Sequence, residues 1–349
     1  MWLLTLRDLQ YRRLRVFVVV TLAAVVMALL FLMTGLVNQL EQEPYDTTAA
    51  IGGNQWVLAA GVSGPFTSAG TLPLSGADAL PGLTPIVVSR ATLTAEGDEH
   101  GDEVVIVGGP LEALGTTMGA PRLTSGRAVR AAGEVVVDEA SGFHVGDHAS
   151  LGALPVEVVG LTTDTTMFAG LPVVFTELGS AQDFTFHSRA VVSAFLTDAR
   201  PTTVPEGVTV HSSADVAADA LDPLQNAITS IDLVRGLLWF VTAVIIGAVV
   251  FLSALERQRD FAILRAMGTP RRTLLIGVAT EAALIALVAA VVAYALHWAM
   301  IPLFPLPVRV PARALWQIPL GAVAAALVAG AFGLRKVATA DPASAFGGR

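Results

Sequence analysis

The chain has no cysteine and one lysine, and only 14% of its 349 residues are charged. The first absence excludes disulfides, thiol nucleophiles and cysteine-ligated metals. The second removes the phosphate loop, because GxxxxGK[ST] needs a lysine that reaches the terminal phosphates. Lys336 follows Gly-Leu-Arg and precedes Val-Ala-Thr, so the pattern fails. Nucleotide hydrolysis by that route belongs to another chain. The shortage of charge, against about 25% in soluble globular proteins, is that of a membrane protein. No GxSxG elbow occurs, which leaves a hydrolase reading without its nucleophile.

What the chain does have is long apolar runs. Residues 16–37, 232–255, 274–298 and 314–334 are each about 20 residues or more. At ~1.5 Å rise per residue, each covers a hydrocarbon core of ~30 Å. The first run is too long for a signal peptide, and the following NQLEQEPYD lacks a small-x-small cleavage site, so it reads as a retained anchor. Arg7, Arg12, Arg13 and Arg15 precede the first run. Arg257, Arg259, Arg265, Arg271 and Arg272 lie between the second and third, and Arg335 and Lys336 follow the fourth. The positive-inside rule then places both termini and the 256–273 loop in the cytoplasm of a multi-pass protein of the plasma (inner) membrane. Arg309 and Arg313, in the outer 299–313 loop, are outnumbered. The expected fold class is a membrane protein with four transmembrane α-helices (1+3) and a mixed α/β extracytoplasmic domain between the first and second spans.

That outer block, residues 38–231, holds 23 acidic residues and 6 arginines, a formal charge of −17. Such a balance argues against nucleic acid or anionic headgroups as its partner. Short β-type runs recur in it: QWVLAA, PIVVSRATL, EVVIVGG, GEVVVDEA, PVEVVGLTT, PVVFTEL and RAVVSAFL, punctuated by Gly, Pro and Asp. NQLEQEPYDTTAAIGGNQ reads as a short helical stalk ending near Pro44, and SSADVAADALDPLQNAITSIDLVRG as the returning one. In residues 1–15, Trp2, Leu6 and Leu9 share a helical face, which suits an amphipathic helix on the inner membrane surface. Residues 335–349 form a cytoplasmic tail.

Metal chemistry finds little support. His144 and His148 lie near Asp138, Glu139 and Asp147, but the intervening VGD reads as a turn between strands, where i,i+4 spacing does not converge ligands. No metal site is expected. His297 reads as an interfacial residue beside Trp298. Glu281 is the one ionisable residue well inside a span, where it would cost about 2.5–3.5 kcal/mol if it faced lipid. A relay would need several intramembrane partners, so hydrogen bonding to a neighbouring helix or to Arg271 and Arg272 is the expected reading.

The stretch LERQRDFAILRAMGTPRR carries seven formally charged side chains between two apolar runs. Residues 256–267 contain no helix breaker, and Gly268-Thr269-Pro270 supplies a stop. Phe261 and Leu264 are spaced i,i+3, and Ile263 and Met267 i,i+4. Read plainly, this is a solvated connector whose arginines enforce topology. Read more sharply, it is a docking helix with apolar knobs and a charged rim.

The stretch ERQRDFAILRAMGTPRRTLLIGVATEAALIAL resembles the segment between the second and third spans of FtsX/MacB-type ABC transporter permeases. Glu256, Arg257, Arg259, Phe261, Arg265, Ala266, Gly268, Arg271 and Glu281 match that family's pattern in order, with Asp260 in place of its usual glutamate and a varied Thr269-Pro270 loop. The terminal LRKVATADPASAF, through Asp341, Pro342, Ala345 and Phe346, is similar to the family's end signature. EVVVDEASGFHVGDHASLGALPVEVVGL resembles a pattern of its outer domain.

The resemblance implies a non-catalytic permease subunit that works as a dimer, with a separate ATPase binding ATP and Mg and no cofactor in this chain. Its docking contact would be Glu256, Arg257, Arg259, Asp260, Phe261, Leu264, Arg265, Met267, Gly268, Arg271 and Arg272. ATP-driven closure would move the membrane helices, and the stalks would pass that motion to the outer domain. The implied work is export, or extraction from the outer leaflet, of a lipid-like compound, drug or peptide, with an extracytoplasmic adaptor or effector as a further partner. An FtsX-like transducer that activates a cell-wall hydrolase is the alternative. The size of the outer domain favours transporters, including DevC-like members.

Overall fold

The structure is a computed structural model that describes residues 13–76, 82–119, 122–199, 201, 204–256, 263, 266–303 and 308–338. It forms two units, one drawn from Met1–Gln39 and Ile228–Arg349, the other from Leu40–Ala227.

The first unit is helical. Helix α1 (Arg13–Ile51) begins in it, and α4 (Gln225–Glu256), α5 (Arg271–Met300) and α6 (Ala312–Ala338) follow the outer domain. Phe17–Ile51, Ser213–Ala248 and Ala282–Leu303 are long and apolar enough to cross a membrane, and Ala312–Val328 is a shorter apolar helix. The seam of this unit is alanine. Ala282, Ala286, Ala289, Ala290 and Ala293 of α5 meet Ala314, Ile318, Ala322 and Ala326 of α6 and Ala23, Ala24, Met27 and Phe31 of α1. Small side chains at helical spacing let backbones approach closely, which is what holds helices together where lipid removes the hydrophobic drive.

The second unit is a mixed α/β domain. Its strands are β1 (Gln55–Ala59), β2 (Leu72–Pro73), β3 (Thr84–Ala95), β4 (Asp102–Gly109), β5 (Leu123–Gly126), β6 (Glu134–Asp138), β7 (His148–Leu151), β8 (Leu154–Thr162), β9 (Thr166–Met167), β10 (Leu171–Glu177), β11 (Val191–Val192), β12 (Ala194–Thr197) and β13 (Val208–Ser212). Two short helices join them, α2 (Leu178–Thr185) and α3 (Ser213–Leu221). The main sheet runs β13-β1-β12-β3-β4-β10-β6-β8-β5, with β4/β10 and β6/β8 parallel. Strand β7 pairs with both β8 and β3, so β3, β4, β10, β6, β8 and β7 close on themselves.

Period-2 alternation gives this sheet two apolar faces. Val105, Val107, Val173, Phe175 and Val136 join one cluster, while their neighbours Val104, Ile106, Val174, Val135 and Val137 join the other. Strands buried on both faces read as continuous valine runs, as these do. Helix α3 starts on a complete capping box between Ser212 and Asp215.

The loop entering β6 is fastened by Glu134, which takes two hydrogen bonds from the Arg127 guanidinium (2.6 and 2.7 Å) and one each from the backbone N–H groups of Arg130 and Ala131. These donors hold its carboxyl at about 2, down from 4.5, with the Arg127 bonds the largest cause. A depressed acid stabilises the fold above its unfolded value, and that contribution is lost as the pH falls through the folded value. Arg127 is 40% exposed, so screening limits the contribution to about 1 kcal/mol. Glu134→Gln is expected to remove part of the acid dependence of outer-domain stability between pH 4.5 and about 2, checked by thermal melts of both forms across that range.

Candidate functional site

The cytoplasm-facing stretch anticipated from the sequence is described in part. Helix α4 ends at Glu256 and α5 begins at Arg271, with Pro270 extended at its N-cap. Between them, Met267 N–H donates to Ile263 C=O at 3.0 Å, which is one helical turn. Gly268 then takes φ +89°, a left-handed conformation that stops a helix without a Cβ penalty. Ile263 and Met267 are 58% and 70% exposed. Two apolar side chains one turn apart thus face solvent, and Arg272 in the first turn of α5 is exposed as well. Arg257, Arg259, Asp260, Phe261, Leu264 and Arg265 lie outside the described residues. So do the side chains of Arg271 and Glu281, whose backbones belong to α5. The first twelve residues and 339–349, with the amphipathic helix and end signature expected there, are outside as well.

A second arrangement was not anticipated. The first stalk does not end near Pro44: α1 continues through it to Ile51. Proline removes only the hydrogen bond to Leu40, and the last two turns are held from outside the helix. Glu43, 2% exposed, accepts from the Thr166 hydroxyl, from Ala169 N–H at 2.9 Å and from Gly170 N–H at 2.8 Å. One turn on, the Thr47 hydroxyl donates to Thr166 C=O at 2.6 Å. Asp46 pairs with Arg122 at 3.4 Å, and Ala50 C=O accepts from Gly119 N–H at 2.7 Å. The gripped loop is strained, since Asp164, Phe168 and Ala169 have φ of 61°, 52° and 69°. Such a conformation costs about 1–2 kcal/mol per non-glycine residue.

A second buried carboxylate supports the loop from the sheet side. Asp138, 3% exposed, accepts from Thr165 N–H and from its hydroxyl, both at 2.8 Å. The Arg90 guanidinium lies 4.4 Å from the Phe168 ring centroid. Burial, the largest influence, pushes the Glu43 carboxyl up from 4.5, against the three bonds that favour its charged form.

No set of three or more His, Asp or Glu side chains able to hold a metal ion occurs among the described residues. His144 and Asp147 instead close a turn, with Asp147 N–H on His144 C=O at 3.1 Å.

The family model described as FtsX-like permease C-terminal matches residues 233–342, which include the 256–272 stretch and Glu281. The chain is 36% identical to an uncharacterized ABC transporter permease of Mycobacterium bovis, over 98% of both chains. A second such permease, from Mycobacterium tuberculosis, is 35% identical over the same shares. The chain belongs to the FtsX-like ABC transporter permeases.

Among solved structures, the periplasmic region of MacB from Actinobacillus actinomycetemcomitans aligns with 50% of the permease and 95% of its own length, at 14% identity and a TM-score of 0.34. The extracellular domain of YknZ from Gram-positive bacteria aligns with 46% of the permease and all of its own length, at 11% identity and a TM-score of 0.31.

In the permease's helical unit, His297 is 2% exposed, its ring 6.1 Å from that of Phe31, while the adjacent Trp298 is 61% exposed. Successive helical residues point about 100° apart, so neighbours in sequence need not share an environment. Glu43 escaped the sequence reading for a related reason. Its i,i+4 spacing with Thr47 was visible, but the loop that both grip lies more than a hundred residues away.

Proposed function

We propose that this permease couples ATP hydrolysis by a separate ATPase, which holds the ATP and Mg, to movement of its extracytoplasmic domain. The observation that carries the reading is the exposed pair Ile263 and Met267, joined by a backbone hydrogen bond and followed by a left-handed Gly268, in a sequence stretch with five arginines and a chain without a phosphate loop. An apolar pair inside a charged rim suits a groove on a soluble partner, the rim setting register and encounter rate. The docking contact then comprises Glu256, Arg257, Arg259, Asp260, Phe261, Leu264, Arg265, Met267, Gly268, Arg271 and Arg272. The arginine distribution supports four spans with both termini in the cytoplasm. Two copies form the working dimer, and the load is a lipid-like compound, drug or peptide that is exported or drawn from the outer leaflet. The spans carry few polar residues, which suits work done outside rather than through a polar conduit.

The test is co-purification. The wild-type permease is expected to bring down a soluble ATPase, and Arg257→Glu with Arg265→Glu to weaken that complex at least tenfold. An ATPase still bound after residues 256–267 are replaced by a Gly/Ser linker would refute the docking role.

A further inference from the structure

The grip of α1 on the loop around Thr166 exceeds what packing requires. A buried apolar contact would hold a helix end on a sheet, and replacing buried charges with well-packed apolar groups is often neutral or stabilising. The chain instead buries a carboxylate and satisfies it with three donors from one five-residue stretch, Thr166, Ala169 and Gly170. Apolar contacts slide, whereas three convergent hydrogen bonds to one carboxylate fix both rotation and translation of the helix against the loop. The loop adopts its strained backbone only where its surroundings over-determine it, and Glu43, Thr47 and Asp138 are those surroundings. Asp46, with Arg122, holds the same loop at Asp164, whose carbonyl accepts from the Arg122 guanidinium at 3.1 Å. Glu43, Asp46, Thr47 and Ala50 all lie on one face of the last turns of α1, and each meets the outer domain.

We infer that Glu43 is the positioning residue of the transmission joint: its carboxylate locks the end of the first helix to the 164–170 loop, so that this helix end and the outer domain move as one body. The inference rests on the proposed ATP-driven movement and names the residue through which that movement enters the domain. Glu43 touches no reacting atom and acts through the loop.

The absence of cysteine makes the test direct, because spin labels attach only where cysteines are introduced. Gln42→Cys on α1 and Ala153→Cys on the β7–β8 turn are both exposed and both in the outer unit. The distance between them is measured by double electron–electron resonance in the full permease with its co-purified ATPase, without nucleotide and after trapping with ATP and orthovanadate. With Glu43 in place, one narrow distribution is expected in both states. With Glu43→Ala it should at least double in width, and it should shift on trapping while the ATPase stays bound. Should that variant fail to fold, Thr166→Val, which deletes one of the three bonds, takes its place with the same expectation. A distribution that stays narrow in both states would overturn the inference, even with a lowered melting temperature, since Glu43 would then be a structural anchor only. The width without nucleotide decides the joint even where no ATPase binds, so failure of the docking reading is recognised separately, as an absent ATPase in the wild type.

Discussion

Glu43→Ala is expected to lower the stability of the outer domain by about 3–5 kcal/mol, the low end of what three buried donors without an acceptor cost together. The variant leaves the Thr166 hydroxyl and the N–H groups of Ala169 and Gly170 without their acceptor, in a region where Thr166 is 4% exposed. Each buried donor left unpaired costs about 1–3 kcal/mol. For a domain of this size, ~1 kcal/mol moves the melting temperature by about 2–4 °C, so a drop on the order of 10 °C is expected in thermal melts of the full chain. Glu43→Gln should cost less. A carboxamide oxygen can still serve Thr166 and Gly170, which share Oε1, while the amide nitrogen then faces the Ala169 donor.

The two acids separate by pH. Glu43 has a raised folded value, so its contribution is full below the unfolded value of 4.5 and is lost as the pH rises through the folded one. Glu134 does the reverse below 4.5. Melting-temperature differences between wild type and each glutamine variant should therefore move in opposite directions with pH. Differences that ran in parallel would mean that Glu43 is not desolvated as its burial requires.

The second large effect concerns the partner. Ile263→Ser with Met267→Ser is expected to weaken ATPase binding by about tenfold to a hundredfold without changing the permease's own melting temperature. Full burial of such a side chain contributes about 1.5–3 kcal/mol, and each ~1.4 kcal/mol is tenfold in affinity. Both side chains are more than half exposed, so the folded chain loses little when they are removed. An unchanged affinity, measured by titration of the ATPase onto immobilised permease, would place the contact elsewhere.

Much of the architecture was legible because it rests on local patterns. The valine runs in PIVVSRATL, EVVIVGG, GEVVVDEA, PVEVVGLTT and PVVFTEL became β3, β4, β6, β8 and β10, since a strand buried on both faces has a continuous apolar signature. Strands β5 and β13 were missed: LTSG has one apolar residue and VTVHS two, and both exist because partner strands supply their hydrogen bonds. The left-handed Gly268 was readable locally, from the Gly-Thr-Pro stop.

Pro44 marks where local reading fails. A proline after a short polar stretch announces a helix end, yet α1 runs on to Ile51 because Glu43, Thr47 and Ala50 gain partners from residues 119 and 166–170. His297 and Trp298 divide for the same reason, one turned toward Phe31 and the other outward. By itself the sequence determined the apolar helices, the lack of any phosphate loop and the family, all properties of composition and short-range spacing. Only the tertiary structure decided which acid is buried, which loop it grips and where the first helix ends. Those depend on hydrogen bonds between residues far apart in the chain, whose geometry no local pattern encodes.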